Sequence, residues 1–276
     1  MKDKLIDNEL LKSISPVLAK PIIRQSVMKL AALDKVNRVY DSAKHKNGTD
    51  IQDAMADGLG IIRKVHNIEV LRQFDGKPFI IVSNHPYGHI DGIILTGEVA
   101  KIRPDFKIMV NWMLAHIDIL QHHLIGVNPY SADISSRSSV NGVKECIRHL
   151  RDGHPVGFFP AGAISRTVGF NSIRDKEWQE SVLKLIKKAE VPIIPAYFSG
   201  QHSFFFNLLD KVDWRLRNLR LCHELDNKRG KTIHLVFGEP IFVEKQNEFS
   251  NMRAFGEFLQ NETYALASQI EAKTVK

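Results

Sequence analysis

The chain has 276 residues, 43% of them apolar and 25% charged, a composition that argues against a disordered or fibrous protein and allows a sizeable core. Lys and Arg number 38 against 31 Asp and Glu, a formal charge of +7. That excess suits a membrane surface, a phosphorylated substrate or nucleic acid, with a mildly basic soluble protein as the plainer alternative, while only two cysteines, Cys146 and Cys222, argue against a disulfide framework and fit a reducing compartment.

The opening stretch MKDKLIDNELLKSISPVLAK interrupts its apolar positions with charges, so it lacks the continuous apolar core of a signal peptide. No window approaches the roughly 18 uninterrupted apolar residues of a membrane-spanning helix, and any membrane contact is expected to be peripheral. Residues 1–66 read as a helical segment. Leu5, Leu10, Leu11, Ile14 and Val17 form a loose stripe that Pro16 and Pro21 interrupt, and Ile23, Val27, Leu30, Leu33 and Val36 continue it from Ile22 to Val39. Thr49 with Gln52 predicts a capping box, followed by Ile51, Met55, Leu59, Ile62 and Val65 on one helical face. Such a segment lies either in a membrane interface or packed on the domain, and packing is the commoner fate.

From residue 67 to 276 the pattern changes to strands alternating with helices. Ile68–Leu71 and Phe79–Val82 flank the turn signal Asp75-Gly76. A helix is expected after Asp91, then strands over Phe106–Val110 and Leu124–Val127, then a helix from Ser135 to Leu150. Pro155–Phe159, Val191–Phe198 and Ile233–Phe237 are short continuous apolar runs, as in strands buried on both faces. Glu177–Ala189 and 250–273 have helical spacing. The expected fold is α/β: a mostly parallel or mixed central sheet covered by helices on both faces, with an N-terminal helical segment.

The first buried strand runs directly into Asn84-His85-Pro86-Tyr87-Gly88-His89-Ile90-Asp91, at the end of a strand where open α/β sheets place ligands. Pro86 and Gly88 delay a regular helix, so the chain can turn and bring Asp91 beneath His85. A carboxylate on one imidazole nitrogen sets the tautomer and stabilises the imidazolium, leaving the other nitrogen to take a proton from a hydroxyl. The same pair also reads as a loop histidine satisfied by a neighbouring acid. A further reading makes His85, His89 and Asp91 metal ligands, with His122-His123 further on, although no compact ligand cluster is apparent.

These residues resemble a family. Asn84-His85 with Asp91 and Gly92 is similar to the first block of the glycerolipid acyltransferases of the 1-acylglycerol-3-phosphate acyltransferase type. Most of that family places four residues between His and Asp, whereas five stand here, as in a bacterial branch described as hemolysin-like or lysolipid acyltransferases. Phe158-Phe159-Pro160-Ala161-Gly162-Ala163-Ile164-Ser165-Arg166 resembles the family's Phe-Pro-Glu-Gly-Thr-Arg block in that branch's form. Val191-Pro192-Ile193-Ile194-Pro195-Ala196-Tyr197 resembles the fourth block, and Phe237-Gly238-Glu239-Pro240-Ile241 the closing strand. Leu124-Ile125-Gly126-Val127 with Arg137 stands where the second block belongs and matches it poorly.

The resemblance implies transfer of a fatty acyl group from a thioester, acyl carrier protein or acyl-CoA, to the hydroxyl of a lysolipid. His85 and Asp91 would be catalytic, and Asn84, Gly162, Ser165, Arg166 and Arg137 would bind substrate. Gly162 lets backbone approach a ligand, Ser165 offers a hydroxyl, and Arg166 a fork suited to phosphate or carboxylate. Ala161 and Ala163 flank Gly162 where the family's Glu and Arg are expected, which favours an acceptor other than a glycerol phosphate, such as an amino-acid lysolipid of the lyso-ornithine kind. No cofactor beyond the thioester and no metal is expected.

Phe204-Phe205-Phe206 and the basic stretch 211–231, with Lys211, Arg215, Arg217, Arg220, Lys228, Arg229 and Lys231 around Trp214 and Leu221, fit either an anionic lipid surface or core packing and a solvated face. The expected partners are a membrane surface with anionic lipids, a lysolipid acceptor and acyl carrier protein, without nucleic acid, and the expected location is the cytoplasmic face of the bacterial inner membrane. The rival readings are a metal-dependent hydrolase built on His85, His89 and Asp91, and a non-enzymatic peripheral membrane-binding protein.

Overall fold

The computed structural model describes residues 5, 20–30, 32–112, 114–127, 137–168, 172–212, 217 and 220–274. Most of the predicted stripe over residues 1–19, with Ser135, Trp214 and Arg215, lies outside the described residues. The chain forms two compact units, Met1–Ile62 with His202–Thr232, and Arg63–Gln201 with Ile233–Lys276.

In the first unit, α1 (Pro21–Leu30) and α2 (Leu33–Ala43) are separate helices, where periodicity predicted one run from Ile22 to Val39. Ala32 sits between them in the left-handed region (φ 49°), which ends the helical hydrogen-bond ladder. α2 packs on α3 (Asp50–Gly58) through buried Tyr40, Ala43, Met55 and Ala56, and Ser42 Oγ donates across to Ala54 O at 3.1 Å. The predicted capping box at Thr49 does not form: Thr49 is itself in a helical conformation and its side chain caps nothing, while Gln52 is buried. Gly60, in the left-handed region, ends the helical segment, and Ile62–His66 is strand β1 rather than a continuation of the helix.

The second unit holds most of a seven-stranded mixed sheet in the order β1-β9-β8-β2-β5-β3-β4, flanked by helices as expected. Its strands are β2 (Ile80–Ser83), β3 (Lys107–Asn111), β4 (Leu124–Val127), β5 (Val156–Phe158), β8 (Ile193–Phe198) and β9 (Thr232–Phe237). β8, β2, β5, β3 and β4 pair in parallel, and β9 pairs antiparallel to β8. β6 (Arg166–Val168) and β7 (Ser172–Arg174) form a separate antiparallel hairpin that sequence reading did not anticipate. Ile68–Leu71, expected as a strand, is part of a 3-10 segment, Ile68–Phe74, that buries Val70, Leu71 and Phe74 on one side. A spacing of three and four serves a helical turn better than alternation does.

All four residues of β2 are buried, as a strand covered on both faces requires. Ile80 and Val82 point into a core with Phe158, Ile193, Trp178, Leu183, Ile186, Phe255 and Leu259, built with α5 (Arg137–Arg151), α6 (Glu180–Lys188) and α8 (Met252–Ala265). Alternation sends Ile81 to the opposite face. There α4 (His89–Ala100) runs against β3, and Gly92 lets Ile108 approach so closely that a Cβ would stand 3.3 Å from Cδ1. Burying each such aliphatic side chain contributes about 2 kcal/mol. The sheet is thereby rigid around the carboxyl ends of three adjacent parallel strands, β8, β2 and β5, from which the loops of the site emerge.

Candidate active site

Strand register places Ser83 beside Ala196 and Val82 beside both Pro195 and Phe158, so the segments following β2, β5 and β8 leave the sheet side by side. Asn84 spans two of them: Phe198 N–H donates to its Oδ1 at 2.7 Å, and its Nδ2 donates to Phe198 O at 2.9 Å. The Asn84 amide is therefore engaged with backbone on both sides. His85 follows. Its carbonyl accepts from Ser165 N–H at 2.9 Å, and its ring lies against Phe159 with centroids 4.1 Å apart.

Gly88 (φ +72°) turns the chain into α4, and a Cβ there would meet Ile164 Cδ1 at 2.9 Å. The turn puts Asp91 in the first helical turn, fully buried, where Oδ2 accepts from Tyr87 N–H (2.8 Å) and Gly88 N–H (3.0 Å). The same oxygen lies 3.1 Å from His85 Nδ1, within hydrogen-bonding distance but at an oblique approach. Burial pushes the Asp91 carboxyl up; His85 and the two backbone N–H groups pull it back, and the helix N-terminus also favours the anion. The His85 side chain is 18% exposed and Nδ1 is buried, so the open part of the ring carries Nε2, which no described protein group holds. The pair meets the geometric requirement for an oriented base facing a hydroxyl from outside.

The other candidates lie around this centre in different ways. Gly162 (φ +62°) is exposed in the turn after β5, and Gln179 packs so close that an added Cβ would stand 1.9 Å from its Nε2. Ala161 is fully buried, leaving no acidic side chain at that turn position. Ser165 is buried, and its hydroxyl donates to Asp175 Oδ1 at 2.5 Å. Arg166 is exposed on β6, directly opposite Arg174 on β7. Arg137 opens α5, and its side chain lies outside the described residues. His89 begins α4; His123 turns Nδ1 to Phe106 O at 2.9 Å. Among the described residues, no three His, Cys, Asp or Glu side chains gather as a metal cluster.

Sequence reading passed over two residues that shape the centre. Asp175 is buried, and it accepts from His85 N–H at 3.2 Å as well as from Ser165. Tyr87 is buried with its hydroxyl pressed against Gly200, and burial with nearby Asp91 pushes that hydroxyl well above the usual phenol range. Neither stands in a periodic pattern or a recognised motif position that would have marked it.

In the other unit, Phe206 is fully buried while Phe204 (81%), Phe205 (48%) and Leu208 (42%) are exposed on α7 (Phe204–Val212). Arg217 and Lys228, read as part of a basic face, are buried: Arg217 stacks over Phe206 and Lys228 pairs with Glu224 at 3.1 Å. No helix among the described residues is long and apolar enough to cross a membrane.

Comparison with known proteins places these features. An acyltransferase family profile matches residues 36–273. The lyso-glycine lipid O-acyltransferase of Bacteroides thetaiotaomicron is 27% identical over 246 residues, 86% of this chain and 87% of that one. The enzyme of the same name from Phocaeicola vulgatus is 27% identical over 240 residues, 84% and 83% of the two chains. The crystal structure of the 1-acyl-sn-glycerophosphate (LPA) acyltransferase PlsC from Thermotoga maritima has the same fold, with a TM-score of 0.53, 15% identity and 95% coverage of both chains. The chain belongs to the acyltransferase family.

Proposed function

We propose that the protein is a lysolipid O-acyltransferase that moves a fatty acyl group from a thioester, acyl-CoA or acyl carrier protein, to an acceptor hydroxyl. The reading rests on one observation above the others: His85 stands at the carboxyl edge of the sheet with Nδ1 on buried Asp91 and Nε2 open. His85 Nε2 takes the proton of the acceptor hydroxyl as its oxygen attacks the thioester carbonyl. Asp91 stabilises the imidazolium so formed. When the tetrahedral intermediate collapses, the C–S bond breaks, and His85 returns the proton to the leaving thiolate, giving an ester and a free thiol. No acyl-enzyme and no cofactor enters these steps.

For the acceptor we favour an amino-acid lysolipid over a glycerol phosphate. Ala161 stands buried where the family's Glu is expected, and the relatives that align over most of the chain are named for a lyso-glycine lipid. Arg166, exposed beside Ser165, supplies a cation for an anionic head group. The protein works peripherally at the cytoplasmic face of the bacterial inner membrane. Phe204, Phe205 and Leu208 offer it an apolar contact, and Arg220, stacked on Phe205 at 4.7 Å, a cation for anionic lipid.

A thiol-release assay tests the function. Acyl-CoA and acyl carrier protein are each offered with lysolipids headed by an amino acid or by phosphate. Release is expected with the amino-acid acceptors and is expected to vanish in His85→Ala; full release from that variant overturns the mechanism.

A further inference from the structure

Asp175 lies between β7 and α6, 90 residues from His85 in sequence, yet its carboxylate touches the histidine's own backbone. Three donors from three segments meet on its two oxygens. Oδ1 accepts from Ser165 Oγ at 2.5 Å and from His85 N–H at 3.2 Å, and Oδ2 accepts from Trp178 Nε1 at 3.1 Å. Ser165 N–H in turn donates to His85 O at 2.9 Å. His85, Ser165 and Asp175 thus close a ring of hydrogen bonds that joins the loop after β2 to the loop after β5. From the far side, Asp175 N–H donates to Tyr264 Oη on α8 at 2.8 Å, and Arg174 lies over the Tyr264 ring at 4.3 Å.

We propose that Asp175 is a positioning residue for His85: its carboxylate holds the His85 backbone and the Ser165 loop together and, as a second buried anion besides Asp91, stabilises the imidazolium formed during transfer. Three converging donors are what an ionised carboxylate requires and a protonated one cannot use fully. Burial pushes the carboxyl up, while the bonds from Ser165 and Trp178 and the nearby His85 pull it back. The groups around His85 are Asp91 from α4, Asp175 from the β7–α6 connection and the uncharged Phe159 ring; those around Asp175 are His85, Ser165, Trp178 and Tyr264.

The catalytic meaning of this ring rests on the proposed transferase reading, so the decisive measurement does not need activity. The His85 imidazole is titrated by NMR in wild type, Asp175→Asn and Asp175→Glu. Asp175→Asn is expected to move the His85 midpoint to lower pH, since a buried carboxylate bonded to the His85 backbone is lost. Asp175→Glu, which keeps the charge, is expected to restore most of it. Trp178→Phe removes one donor and no charge, and is expected to lower the thermal midpoint while leaving the His85 titration in place. In the thiol-release assay, Asp175→Asn should lower kcat about 10- to 100-fold with the acceptor KM within about twofold, and shift the acid limb of kcat/KM with the NMR midpoint. A folded Asp175→Asn protein with wild-type titration overturns the inference. If wild type releases no thiol with any acceptor, the transferase reading fails and the titration still decides Asp175.

Discussion

Asn84 and Phe198 are joined by two opposed hydrogen bonds: the Phe198 N–H donates to the Asn84 side chain, and that side chain donates back to the Phe198 carbonyl. The residue next to the base therefore stitches the ends of two parallel strands where backbone pairing stops. Asn84→Ala leaves a buried N–H and a buried C=O without partners, at an expected cost of about 2–3 kcal/mol. Chemical denaturation measures this cost, and an unchanged midpoint would show that the strand ends do not need the amide.

The His85–Asp91 pair predicts two graded losses. His85→Ala should reduce kcat for thiol release about 10²–10⁴-fold with an unchanged circular dichroism spectrum, the contribution of an oriented general base. Asp91→Asn puts an amide where Tyr87 N–H, Gly88 N–H and His85 Nδ1 all face an acceptor oxygen. It favours the wrong tautomer and should cost a similar factor, accompanied by a lower melting temperature.

Gly88 makes the turn between base and acid possible. At φ +72° an alanine is strained, and its Cβ would meet Ile164 at 2.9 Å. Gly88→Ala should destabilise by about 1–3 kcal/mol and depress kcat, since it displaces the two N–H groups on Asp91. Adding Ile164→Ala relieves the steric part alone. Full recovery in the double variant would mean that the backbone conformation costs nothing.

Acid sensitivity is expected from Glu224. Burial opposes its ionisation, but His202, Ser203 and Asn227 outweigh it and hold the carboxyl well below the usual range. Ser203 donates twice, from N–H at 2.9 Å and Oγ at 2.7 Å, and Asn227 donates at 2.7 Å. A folded-state value below the unfolded one gives stability that is present above the ordinary Glu range and fades as pH falls through that range toward the folded value. Glu224→Gln should lose about 2 kcal/mol at pH 7 and melt with a flatter acid limb than wild type between pH 5 and pH 3, read by thermal unfolding at each pH.

Much of the fold was legible because burial leaves a local trace. The apolar runs Phe79–Val82, Pro155–Phe159, Val191–Phe198 and Ile233–Phe237 mark β2, β5, β8 and β9 to within a residue or two. Local signals failed where two structures share one pattern. Ile62 and Val65 continue the helical stripe of α3, but Gly60 ends it and the sheet recruits them into β1. Thr49 and Gln52 have capping-box spacing, yet Thr49 adopts helical angles that turn its hydroxyl from the task.

By itself the sequence determined which residues could do the chemistry: a histidine and an aspartate across a proline–glycine turn, at the end of a strand that must be buried. Only tertiary structure decided what surrounds them. Parallel pairing of β2 with β5 and β8 is non-local, and that pairing brings Ser165 and Phe198 to the residues flanking β2's end. Asp175 reaches His85 only because two loops, 80 and 90 residues along the chain, close on the same backbone. A carboxylate's role follows from the donors that meet it, and those donors are set by strand order rather than by neighbours in the chain.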